Sequence, residues 1–125
     1  MLAWCVIVFR QADGGKTPAS TKSQDTGERI AIWQTGPYGL KWVRELVDNG
    51  KLIDLGGDGY PNLYTGRAEH LLPIANDPPD AHDVWLRDDF DRVTEDYVGK
   101  TRIDQKLIDD CRFDEWLIVH LWDES

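Results

Sequence analysis

LAWCVIVF, residues 2–9, is apolar on both strand faces: Leu2, Trp4, Val6 and Val8 alternate with Ala3, Cys5, Ile7 and Phe9. A strand with that pattern belongs inside a sheet covered on both sides. EWLIVHLW, residues 115–122, has the same character near the other end of the sequence. Two such strands are expected in the sheet interior, and pairing between them is one arrangement this permits.

Working inward, QADGGKTPASTKSQDTGE, residues 11–28, is polar and rich in Gly, Ser and Thr, and is expected to be an exposed, mobile loop. RIAIWQ, residues 29–34, is a short strand. The next stretch, TGPYGLKWVRELVDNGK, predicts a helix with Pro37 early and Gly50 as its stop. Leu40, Val43 and Val47 form its inward stripe, supported by Trp42 and Leu46, and Lys41–Glu45 and Arg44–Asp48 have the spacing of surface ion pairs. KLIDL and NLYTG, joined by GGDGYP, read as a hairpin. AEHLLP reads as one helical turn ended by Pro73, and ANDPPDAHD as a loop.

Leu86, Phe90, Val93 and Tyr97 predict a helix over 83–98, closed by Gly99. A further helix is expected over 101–111, with Thr101 and Asp104 spaced as a capping box and Ile103, Leu107 and Cys111 inward. The fold class is α+β: one domain over residues 1–125, a mostly antiparallel sheet of about five strands, central N- and C-terminal strands, and three main helices.

The charge distribution bears on function. The net charge is −9, yet residues 1–76 hold eight acids and eight Lys or Arg, whereas residues 77–125 hold fifteen acids and six. The whole excess therefore sits in the last two-fifths of the chain. Such a field repels nucleic-acid phosphates and attracts basic proteins. On the helix expected over 83–98, Asp88, Asp91 and Glu95 line the outer side, and Trp85 sits at the edge of the apolar stripe. Like charges four residues apart, as in Asp91 and Glu95, cost a helix a few tenths of a kcal/mol. Trp85, Asp88, Asp91 and Glu95 are therefore the expected partner-binding residues.

Other motifs point elsewhere less well. DGGKTPAS, residues 13–20, contains Gly-Lys-Thr, but a phosphate loop needs a glycine where Arg10 stands, and Pro18 follows instead of a helix. Asp54 and Asp58 lie among glycines in turn chemistry. Asp77, Asp80, His82 and Asp83 offer oxygen and nitrogen donors, but Pro78 and Pro79 stiffen that loop against wrapping an ion. Pro79-Asp80 with Asp104 and Lys106 superficially matches a nuclease core, but Asp104 and Lys106 fall on the helix expected over 101–111 rather than on adjoining strands. His70, His82 and His120 assemble no catalytic set, and Cys5 and Cys111 read as reduced core residues. The first nine residues are too short to cross a bilayer and lack the basic start of a signal peptide, so a cytoplasmic location without membrane contact is expected.

The resulting expectation is a non-enzymatic acidic binding protein with no cofactor and no metal. Its partner is a basic protein and not nucleic acid; most concretely it is a bacterial immunity or inhibitor protein masking a basic toxin such as a nuclease. The alternatives are a small metal-dependent hydrolase using Asp54 and Asp58 or the 77–83 loop, and a DNA-mimic inhibitor.

Overall fold

The computed structural model describes residues 4–20, 26–57, 59, 61–79, 81–82 and 101–123. Its elements are β1 (Trp4–Gln11), β2 (Thr26–Thr35), a 3-10 turn (Pro37–Leu40), α1 (Lys41–Asp48), β3 (Leu52–Gly56), β4 (Asn62–Arg67), α2 (Ala68–Asn76), β5 (Ala81–His82), β6 (Arg102–Ile103), α3 (Gln105–Asp110) and β7 (Trp116–Asp123). The fold is α+β. The strands form one antiparallel sheet in the order β3-β4-β7-β1-β2-β5, with β6 also paired to β2.

The two doubly apolar strands are neighbours at the centre. β1 and β7 pair along their length, with Val8 opposite Val119 and Val6 opposite Leu121. Side chains two apart share a face, so Val6, Val8, Trp33, Leu117, Val119 and Leu121 point to the side that carries the helices. There they pack with Trp42 and Val43 of α1, Leu71, Leu72 and Ala75 of α2, and Leu107 of α3. A register shift opposite Val8 and Phe9 skips Ile30, and Ile30 and Ala31 both join this cluster. Cys5, Ile32, Leu63 and Ile118 are also buried but lie outside it, on the opposite face.

The five principal strands are those expected from the sequence, and the count rises to seven through two short strands on β2's outer edge. β5 occupies part of the segment expected as a loop, opposite Gln34 and Thr35. β6 replaces the first turn of the helix expected over 101–111. Its Arg102 lies opposite Ile32 and its Ile103 opposite Ala31, while the Asp104 N–H donates to the Ile30 carbonyl at 2.8 Å. Asp104, not Thr101, is the N-cap: its carboxylate accepts from the Leu107 N–H at 3.1 Å, so the helix begins only at Gln105. Ile103 is accordingly on the surface, 37% exposed, rather than inward.

α2 is also longer than the single turn expected. It continues through Pro73, whose missing N–H frees the carbonyl of Glu69; both residues are exposed, so the gap lies on the outer side of the helix. Its first N–H groups, those of Ala68 and Glu69, donate to the carbonyls of Glu115 and Phe113 at 2.7 and 3.0 Å, a backbone cap that no local motif announces. α1 stops as read. The Gly50 N–H donates to Val47 and the Lys51 N–H to Leu46, closing the helix around Gly50 at φ 73°. The Lys41–Glu45 and Arg44–Asp48 pairs do not close as ion pairs; Lys41 sits instead over the Tyr38 ring, 5.9 Å from its centre.

The segment expected as an exposed loop over 11–28 is strand at both ends: Gln11 closes β1 and Thr26–Glu28 open β2. Its described middle is pinned down. The Gln11 amide donates to the carbonyls of Thr17 (2.8 Å) and Trp116 (3.1 Å), the Trp116 N–H to that of Gly15 (2.8 Å), and the Ala19 N–H to Thr65 Oγ1 (3.1 Å). Gly15 and Ala19 are buried. Among the described residues no helix is long and apolar enough to cross a membrane.

Candidate functional site

Trp85, Asp88, Asp91 and Glu95 lie outside the described residues, as do Asp58, Asp80, Asp83 and the helix expected over 83–98. The other residues singled out in the sequence are scattered. Asp77 is exposed at the C-cap of α2, and His82 pairs through its backbone with Gln34. His70 is half-buried, 3.4 Å from Glu69 Oε1. Lys16 is exposed, Asp104 caps α3, and Lys106 points away on its surface. Among the described residues no three His, Cys, Asp or Glu side chains gather to hold a metal ion.

Both cysteines are free thiols. Cys5 is buried; burial, then the charge of Glu115, pushes the Cys111 thiol up to about 11, so it stays protonated at neutral pH. Arg10 and Glu115 form a two-bonded pair beside it, Nε to Oε2 at 2.8 Å and Nη2 to Oε1 at 2.9 Å. The Glu115 carboxylate is spent on that pair and is only 1% exposed, which suits anchoring rather than proton transfer.

His120 stands on the sheet face away from the helices, edge-on to Phe9 with ring centres 4.9 Å apart. Its buried Nε2 has no hydrogen-bond partner, and burial lowers its pKa below the ordinary 6.5. The unfolded chain binds the proton more readily, so His120 subtracts stability as pH falls through its unfolded value and none at neutral pH. Urea midpoints measured between pH 5 and 7.5 are expected to rise with pH, and His120→Phe should flatten part of that slope. An unchanged slope in the variant would contradict this account.

Asp54, one of the carboxylates singled out in the sequence, lines a concave site. A cleft of about 470 Å³ opens between α1 and the sheet. Leu40, Val43 and Val47 from the helical side, with Trp4 and Leu121 from the two central strands, supply its apolar lining. Arg44 and Asp48 stand on one wall, and Asp54, Asn62 and Tyr64 on the other. Asp54 and Tyr64 are cross-strand partners, so their side chains project to the same face. Burial, then the negative charge of Asp54, raises the Tyr64 pKa, which keeps that hydroxyl protonated. Asp54 Oδ1 also accepts from the Gly56 N–H at 2.8 Å, a local bond at the end of β3. An apolar pocket with a few converging polar groups and a perturbed titratable residue is the usual form of a small-ligand site.

The chain is a single-sheet α+β protein, and this cleft is one of several recesses among its described residues. No protein-family model, curated protein or solved structure matches the chain.

Proposed function

We propose that the chain is a non-enzymatic binding protein whose acidic C-terminal half docks onto a basic protein. The concrete form is a bacterial immunity or inhibitor protein that masks the active site of a basic toxin such as a nuclease. One observation carries the reading: the entire net charge of −9 resides in residues 77–125. Sites that hold phosphates are positive, so an acidic protein is steered toward them and covers them quickly. Asp77, Asp104, Asp109, Asp110 and Asp114 are exposed and contribute to that field, whereas the charge of Glu115 is spent internally on Arg10. Trp85, Asp88, Asp91 and Glu95 supply the contact surface in this reading.

The test is affinity capture of the tagged protein from cells that express it, at low and moderate salt. A stoichiometric basic partner, released by salt and lost when Asp88, Asp91 and Glu95 are all changed to Lys, is the expected result. A partner retained by the triple variant would sink the assignment of those residues, and no partner at either salt concentration would sink the reading itself. Competition with duplex DNA for the captured partner separates a DNA mimic from an immunity protein.

A further inference from the structure

We propose that the cleft between α1 and the sheet binds an organic cation on an apolar stem, an amine or a guanidine, with Asp54 as its counter-charge and Trp4 and Tyr64 as its aromatic walls. This proposal does not depend on the reading of the acidic C-terminal half.

Shape and lining come first. About 470 Å³ is ample for a stem of several carbons and its head group. Leu40, Val43, Val47 and Leu121 offer no hydrogen bonds, so they favour the part of a ligand that needs none. Two of the lining residues are aromatic, and aromatic faces attract cations. The chain uses that attraction elsewhere, with Arg67 placed 5.3 Å from the Trp116 ring centre.

Charge selects the head group. The rim carries two carboxylates, Asp48 and Asp54, against one guanidinium, Arg44. An anionic guest would meet net repulsion. A neutral guest without a donor would strip water from the Asp54 charge with nothing in exchange, and a neutral donor would return only part of the loss. A cation compensates that loss. Asp54 is also held ready: its bond from the Gly56 N–H fixes the carboxylate through Oδ1 and leaves Oδ2 for a guest, so little ordering remains to be done on binding. The protonated Tyr64 hydroxyl and the Asn62 amide add polar groups on the same wall.

The same chemistry has two sources, a free amine metabolite or a Lys or Arg side chain presented by a protein. Two probes separate them. Agmatine represents the free ligand, and N-acetylarginine amide the blocked side chain. The ¹⁵N-labelled full chain is titrated with each at low salt, and amide shifts are followed by NMR, with N-acetylcitrulline amide as the uncharged control. Saturable shifts centred on residues 43–48, 54, 62–64 and 121, absent with citrulline, are expected. Asp54→Asn, which preserves the acceptor for Gly56, should weaken binding at least about tenfold, the scale of one lost charge-assisted contact, while leaving the rest of the spectrum in place. Val47→Trp, which fills the cleft, should abolish it. Agmatine alone binding would support the site with a free amine as its guest, N-acetylarginine amide alone with a protein side chain, and binding of both would support the site with either source. No saturable shift with either probe, equal binding of the citrulline compound, or unchanged affinity in Asp54→Asn would overturn the proposal.

Discussion

Replacing Arg10 with leucine is expected to lower the unfolding free energy by about 3 kcal/mol, read from urea denaturation at neutral pH. The cause is what the substitution leaves behind. Glu115 is 1% exposed and both its oxygens are bonded by Arg10, so removing the guanidinium strands a buried carboxylate. The bond to Glu115 is the largest influence on Arg10 and raises its pKa, so the guanidinium stays charged. Because the Arg10 side chain keeps a quarter of its surface in water, the loss should fall at the lower end of the range for buried pairs. Glu115→Leu alone should also destabilise. The double variant Arg10→Leu/Glu115→Leu removes both charges together and should recover most of the loss. A double variant as unstable as the sum of the singles would show that the two residues are not coupled.

The second large effect is expected at Gly15, where alanine should cost about 2–4 kcal/mol. Two causes add. The backbone there has φ 71°, and a Cβ would stand 2.6 Å from the Trp116 carbonyl oxygen and 2.8 Å from Glu115 Cγ. Neither neighbour can retreat freely, since Trp116 opens β7 and Glu115 is held by Arg10. Gly14 provides the control. Its φ is 95°, but a Cβ would meet nothing within 4 Å, so Gly14→Ala should cost only the backbone component, about 1 kcal/mol. Equal losses at the two positions, compared by thermal or urea unfolding, would remove crowding as the reason.

These two sites illustrate what is and is not legible in a sequence. Alternation along β1 and β7 exposes their central placement, because a strand apolar on both faces has only one kind of environment open to it. Pro37 and Gly50 bracket α1 for equally local reasons. Local pattern misleads where it competes with pairing. Arg102 and Ile103 fit a helical period, but the open edge of β2 takes them as a strand, and the Asp104 cap starts the helix after them. Pro73 reads as a stop, yet the missing hydrogen bond falls on the exposed side of α2. The Arg10–Glu115 pair spans 105 positions, beyond any local rule. The one available hint was a carboxylate directly abutting a largely apolar strand. Of the cleft's polar groups only Asp54 stands out in the sequence as a candidate for chemistry, beside the turn at Asp58-Gly59. The other polar groups, Arg44, Asp48, Asn62 and Tyr64, come from α1 and β4 and meet only when the sheet is assembled.

The order of the sheet has a consequence for how it is built. β1 with β2 and β3 with β4 are each consecutive antiparallel pairs, able to zip up from their own turns as soon as both members exist. β7 is the strand that lies between β4 and β1 and bonds to each. Until it arrives the two hairpins have no common border, and each presents a row of unpaired backbone groups to any passing chain. Closing more than a hundred residues between β1 and β7 costs about 4 kcal/mol in chain entropy before any contact returns it. Assembly therefore waits on the late insertion of a wedge. On the ribosome the two halves are expected to stay unjoined until residues 116–123 emerge, a pause in which chaperones, or a second chain, can compete for the empty slot.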